Sequence, residues 1–276
     1  MMSDVQPPEI FDRKRRRALR ERAGRRGGDA FLWAVVAAEL ADRLVGVSRT
    51  FKDVLVTGPM VPFAQQILHD RKAEVTLDEF VEEDRLPFQP ASFDLVISAG
   101  SLDSVNDLPG ALIQIRRCLR PDGLFLGHMF GAGTLAGLKA VMLAAHEDNA
   151  APHIHPQIDL RSAADLLSRT GFALPVVDRE FTAARYGDLQ RLVSDVRDMG
   201  VGNALAGRRT YLGRDFIGRM EAALTDRRLP DGKFEEHFAH IYMSGWAPSD
   251  NQPKPLERGS GQVSLTAILS PLGSTK

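Results

Sequence analysis

The residues able to do chemistry fall in a few short stretches: Thr57-Gly58, Asp78-Glu79 with Glu82, Ser98-Ala99-Gly100 and His128-Met129. Each closes or follows a run that reads as a strand. A glycine there lets the backbone approach a ligand, and a carboxylate at a strand end can accept hydrogen bonds from a ribose. Asp78 or Glu79 is the candidate for that contact; a solvated acidic loop, Asp78 to Asp84, is the competing reading. His153-Ile154-His155 has the spacing of two metal ligands on one strand face. No nearby cysteine or acid completes a set, so a loop-anchoring role is the plainer reading and no metal is expected. Gly131-Ala132-Gly133 could cradle an anion where a strand passes into a helix, or simply make a tight turn. There is no Ser-His-Asp arrangement, P-loop or intact dinucleotide fingerprint, and no catalytic residue can be named.

The elements that must position these residues alternate. Phe31 to Leu44 reads as a helix with Leu32, Val35, Val36, Leu40 and Leu44 on one stripe. Val54–Thr57 and Glu74–Leu77 read as strands, with a helix over Phe63–Leu68 between them. Phe93 to Ser98 reads as a buried strand. Asp107 can cap a helix over Leu108–Leu119, whose apolar stripe includes Cys118, and Leu124–Met129 is the next strand. Thr134–Asp148, Leu160–Ser168 and Asp188–Met199 read as helices, Val176–Asp178 and His237–Trp246 as strands. Strands alternating with helices predict parallel strands whose ligand edge lies beyond their carboxyl ends.

The chain has 276 residues, with 35 Lys and Arg against 36 Asp and Glu. One cysteine excludes a disulfide framework, and the longest apolar run, Phe31 to Ala38, is too short to span a membrane. The charge is uneven: Arg13 to Arg26 holds nine basic residues and one acid, +8, leaving -9 elsewhere. Such a segment suits an acidic protein or an anionic membrane surface, or is simply a solvated helix. No aromatic residue interleaves with it, which argues against nucleic acid. A cytoplasmic location is expected, with no cleaved targeting segment read at the start. The organisation expected is a basic segment over 1–30, one domain over 31–247 with helical insertions around 134–170 and 187–230, and a tail over 248–276. In that tail 12 of 29 residues are Pro, Gly or Ser.

The run Phe93-Asp94-Leu95-Val96, Val105-Asn106-Asp107-Leu108-Pro109 and Leu119-Arg120-Pro121-Asp122-Gly123-Leu124-Phe125 resembles the class I S-adenosylmethionine-dependent methyltransferases. Leu86-Pro87-Phe88 is similar to the segment that lies by the adenine in that group. Ile10-Phe11-Asp12-Arg13, Met129-Phe130-Gly131, Pro152-His153-Ile154, Met199-Gly200 with Asn203, and Glu257-Arg258-Gly259-Ser260 resemble one branch. That branch is the mitochondrial complex I assembly factor that modifies an arginine, with its bacterial relatives. The resemblance implies an α/β fold: a Rossmann-like, mostly parallel sheet with an antiparallel last strand and helices on both faces. It further implies S-adenosyl-L-methionine as cofactor, held by Thr57, Gly58, Asp78, Glu82 and Ser98, and a respiratory complex I subunit as protein partner.

The residues depart from that pattern at one place above all. Where the branch has an acid and three alternating glycines, this chain reads Thr57-Gly58-Pro59-Met60-Val61-Pro62. One glycine remains, and each proline removes a backbone donor. Only 35 residues separate Thr57 from Phe93, too few for a complete pair of β-α units, so one unit is expected to be shortened. A His-Trp pair is replaced by Asp103-Ser104, and two acids are missing around Gly131 to Gly137. Two functions therefore stand. One is a methyltransferase-superfamily enzyme; the other is a non-catalytic assembly or binding module that docks a protein through its basic N-terminal helix.

Overall fold

The computed structural model describes residues 9–69, 71–78, 82–146, 153–207 and 212–253. Glu79 and the Glu257-Arg258-Gly259-Ser260 motif lie outside them. Six strands form one sheet: β1 (Asp53–Thr57), β2 (Glu74–Asp78), β3 (Phe93–Ala99), β4 (Leu119–Phe130), β5 (Ala173–Tyr186) and β6 (Phe234–Trp246). Their order is β2-β1-β3-β4-β6-β5. β2, β1, β3 and β4 run parallel, and β6 runs antiparallel to both of its neighbours. This is the sheet expected from the sequence.

Eight helices surround it among the described residues: α1 (Arg13–Arg26), α2 (Phe31–Val45), α3 (Ala64–Leu68), α4 (Leu108–Cys118), α5 (Ala136–Ala145), α6 (Leu160–Arg169), α7 (Leu189–Asp198) and α8 (Arg214–Thr225). Strand alternation divides the core between the two faces. Val54, Val56, Leu95 and Ile97 pack under α2, α3, α5, α7 and α8, while Leu55 and Val96 pack under α4 and α6. Asp107 caps α4 as expected, its carboxylate accepting from Gly110 N at 2.8 Å. Cys118 is buried on the α4 stripe, and burial pushes its thiol pKa up, which suits a core residue rather than a reactive one.

Several expected bounds are corrected. Val35 is 40% exposed, and Trp33 takes its place on the buried face of α2. The stripe is therefore 32, 33, 36, 37, 40 and 44 rather than the narrower one read from the strongest apolar residues. The helix expected over Thr134–Asp148 is α5, and it starts only after Leu135, which holds a left-handed φ of 56°. β5 runs over 14 residues where three were expected, because its ladder to β6 holds residues with no apolar alternation. Between Asp78 and Phe93 the described residues form only one 3-10 turn, Glu83–Arg85, so one β-α unit is indeed reduced. No described helix is long and apolar enough to cross a membrane.

Candidate functional site

The ladders align the tips of the central strands. Thr57 is the register partner of both Asp78 and Ser98, so these three expected site residues stand side by side at the carboxyl edge. Gly58 follows in a left-handed conformation, φ 66°, and opens a 3-10 turn through Phe63 that Pro59 and Pro62 keep short of donors. Thr57 Oγ1 donates to Ile97 O at 3.4 Å. The Ser98 and Ser101 hydroxyls are buried with no hydrogen-bond partner. Two buried polar atoms near the tip of β3 are thus unpartnered.

The backbone just past β3 is closely packed by the chain itself. Gly100 holds φ 73°, and a Cβ placed on it would stand 2.4 Å from Trp33 Cη2. The indole of Trp33, 3% exposed, therefore lies on the backbone that follows β3, fixed by its Nε1 donating to Met199 O at 3.0 Å. A Cβ on Gly58 would stand 3.2 Å from Ser101 Oγ, so the first turn closes onto the loop that follows β3. Met60, beside it, is fully buried.

Glu82 is not brought to the three tips as a free acceptor. Arg13 and Arg16 donate to its carboxylate at 2.9 and 2.8 Å, and Arg13 also grips Asp84 through both carboxylate oxygens at 2.8 and 2.6 Å. Donating to Asp84 holds the Arg13 pKa above its ordinary value. Burial by itself raises the Asp84 pKa, but the Arg13 hydrogen bond and charge outweigh it, and the carboxyl ends below its usual range. The basic helix is thus partly an internal clamp: Arg16 and Arg20 are buried, and Arg16 also donates to Ser104 O at 3.2 Å. At its far end Arg26 pairs with Asp198 and donates to Ser194 Oγ at 3.0 Å.

Residues of the motifs singled out in the sequence meet at the seat of this helix. Asn106 Oδ1 accepts from Ile10 N and Phe11 N, both at 2.8 Å, and Asn106 Nδ2 donates to Phe11 O at 2.9 Å. Asp12 N donates to Ala204 O at 2.8 Å, and Gly200, φ 73°, lets the chain pass where a Cβ would stand 3.2 Å from Arg20 Cα. His155 accepts from Ala204 N at 2.9 Å and packs edge-on against Phe11. It is a loop anchor, and burial drops its pKa to about 4. His153 pairs instead with His146 at 3.0 Å. Among the described residues no group of three or more histidines, cysteines or acids could hold a metal.

Two cavities border this region. One of about 270 Å³ opens beyond β4, walled by Phe130, Leu138, Met142, Val196 and Phe238, with Asp103, His153, Gln157 and Arg197 among its polar residues. A second, of about 10 Å³, remains under α1 between Arg16, Arg20, Gly100 and Gly200. Neither has Thr57, Gly58, Asp78, Glu82 or Ser98 in its wall. Sequence reasoning missed Trp33, Arg13 and Arg16 as residues of this edge. The only signal for Trp33 was an aromatic side chain one place off the expected stripe.

A mostly parallel sheet with an antiparallel β6, its tips at β1 and β3 facing one helix-covered edge, defines a protein with the class I methyltransferase fold. A family model described as a methyltransferase domain matches residues 35–127. The chain is 32% identical to the mitochondrial arginine hydroxylase NDUFAF5 of Danio rerio, over 98% of this chain and 92% of that protein. It is also 32% identical to the Homo sapiens protein of the same name, over 93% of this chain and 82% of that one. A malonyl-[acyl-carrier protein] O-methyltransferase of Xylella fastidiosa is 36% identical over 59% of this chain and 55% of its own length. Among solved structures, the YcgJ protein of Bacillus subtilis matches with a TM-score of 0.47 at 14% identity, covering 76% of this chain and 99% of that one. The chain belongs to the class I S-adenosylmethionine-dependent methyltransferase superfamily. Within it, the chain belongs to the family of the arginine hydroxylase NDUFAF5.

Proposed function

We propose that this member of the family works without the cofactor, as an assembly or binding module that docks a protein partner through its basic N-terminal segment. The observation that carries the reading is Trp33 on Gly100, an indole packed against the backbone just past the tip of β3, where in this reading the methionine part of S-adenosylmethionine finds no room. The first turn adds to it: with one glycine and two prolines over Gly58–Pro62, it offers few amides to a carboxylate. Glu82, expected on the cofactor, is engaged by Arg13 and Arg16. In this reading the residues of the edge do not fit an adenosyl cofactor. Residues 1–30 are the docking segment, 31–247 the methyltransferase-like body and 248–276 a tail. The partner is a protein of the kind the family assembles, a respiratory complex I subunit by resemblance.

A second reading keeps catalysis, either methyl transfer as the superfamily implies or arginine hydroxylation as the names of the relatives state. The unpartnered hydroxyls of Ser98 and Ser101 favour it, since they are polar atoms at the tips awaiting an acceptor or donor. Isothermal titration of the purified chain with S-adenosylmethionine and S-adenosylhomocysteine separates the two. Neither heat nor thermal shift at millimolar ligand is expected; micromolar binding would sink the cofactor-free reading.

A further inference from the structure

The reduced β-α unit leaves its mark on β2. This strand pairs with β1, and among the described residues nothing pairs with its outer edge. Parallel strands are normally covered on both faces. Here Val75 and Leu77 are 37% and 52% exposed. Their register partners Val54 and Val56 are fully buried in the core, so the two residues extend the apolar face of β1 into solvent. α3, with five residues, is too short to cover them. Exposed strand edges are usually blunted by shortness, charge, proline or a bulge; β2, Glu74-Val75-Thr76-Leu77-Asp78, is short and has an acid at each end, but Val75-Thr76-Leu77 between them has no charge, proline or bulge.

We infer that the outer edge of β2 is a docking site for an extended segment of a partner protein, which adds to the sheet as a further strand. The segment places apolar residues at alternate positions beside Val75 and Leu77 and a lysine or arginine opposite Glu74. The strand's own charge chooses this chemistry: Glu74 is exposed and β2 carries no cation. A second copy of the chain is the poorer occupant. Antiparallel pairing centred on Thr76 sets each Glu74 against the other copy's Asp78, twice. An edge of five residues with two apolar side chains is also far from the roughly 800 Å² per partner of a stable dimer. An added segment needs no such area, because main-chain hydrogen bonds supply much of its affinity and side chains its selectivity. The inference does not rest on the cofactor-free reading, since it concerns the edge of β2 that no described residue pairs, on the side away from β1.

Hydrogen exchange read by mass spectrometry over residues 74–78 of the full chain tests it, with two synthetic peptides as probes. One is Lys-Val-Thr-Val-Thr-Val-Lys; the other has glutamate at both ends. The lysine-ended peptide is expected to slow the outward amides of β2 by about tenfold or more, the glutamate-ended one not at all. Leu77→Lys should abolish that protection without moving the thermal midpoint, and Glu74→Lys should transfer the preference to the glutamate-ended peptide. The inference is overturned if the lysine-ended peptide gives no protection, or if both peptides protect equally. It is also overturned if these amides are already as slow as those of β1 in the chain alone, which would mean the chain covers its own edge. Protection that rises with protein concentration alone would overturn it too, in favour of a second copy.

Discussion

His128 and His240 face each other across the β4–β6 ladder, Nε2 to Nδ1 at 2.9 Å, in a nest of Trp33, Phe130 and Tyr242. Burial holds the His128 pKa well below its ordinary value, helped by His240 and Arg43, and burial drops His240 to about 4. Unfolded, each histidine takes up a proton near pH 6.5, so below that pH the unfolded state binds more protons, down to about pH 4 for His240. Stability is therefore full above that window and declines as pH falls through it, by about 1.4 kcal/mol per pH unit for each such histidine. Asp195 and Glu180, pushed up by burial, act in the opposite direction at the acid end, so the diagnostic is a difference. Thermal unfolding from pH 7 to 5 should fall more steeply for the native chain than for His240→Asn; parallel profiles would refute the assignment. A second residue-scale test concerns the plug. Gly100→Ala drives a methyl into the Trp33 ring and strains a left-handed position, so it should cost about 2–3 kcal/mol, most of the steric part relieved by Trp33→Ala. Cys118 and Asp107 were legible in the sequence because periodicity and capping are local rules. Trp33 was not, because its role depends on a glycine 67 positions away that periodicity does not connect to it.

At the scale of elements, α1 behaves as a strap fixed at both ends. Asp12 caps its start by accepting from Arg15 N, and Gly27 ends it at φ 59°. Packing on an apolar stripe does not explain its hold, since its inward side chains include two buried arginines. Charge-assisted bonds do the holding, and Asp84, its side chain 6% exposed, is the least exposed of the acceptors of Arg13. Asp84→Asn should therefore lower stability by about 2 kcal/mol, whereas Lys14→Glu, on the exposed side, should change it by less than about 0.5 kcal/mol. Equal and small effects in urea unfolding would show that the strap is merely apposed. The acidic run Asp78 to Asp84 was legible as charged but not as paired. Its partners lie some 70 positions earlier, and an acid cluster reads the same whether it faces water or an arginine. The helices and the central strands were legible because their apolar spacing is strong. β5 was not, because an edge strand held by its ladder leaves little pattern in its side chains.

For the whole molecule, the charge division read from the sequence becomes sharper once it is folded. Of the nine basic residues between Arg13 and Arg26, Arg13, Arg16 and Arg26 bind acids of the body, so the surplus on offer is smaller than +8. Lys14, Arg17, Arg22 and Arg25 remain on the exposed side, at spacings that place them along one flank of α1, with Glu21 pairing Arg17. No large apolar residue lies among these four, which favours an acidic protein surface over insertion between lipids. Charge reversal of the whole basic segment would break the strap and the docking flank together, and could not tell one from the other. Reversing only Lys14, Arg17, Arg22 and Arg25 to glutamate separates them. This variant should keep the fold, with an unchanged near-ultraviolet spectrum, yet lose co-purification with its protein partner, and the native interaction should weaken steeply as salt rises. Asp84→Asn should do the reverse, loosening the strap while leaving the outer flank charged. Co-purification that survives the fourfold reversal would move the docking surface away from α1 and toward the bared edge of β2.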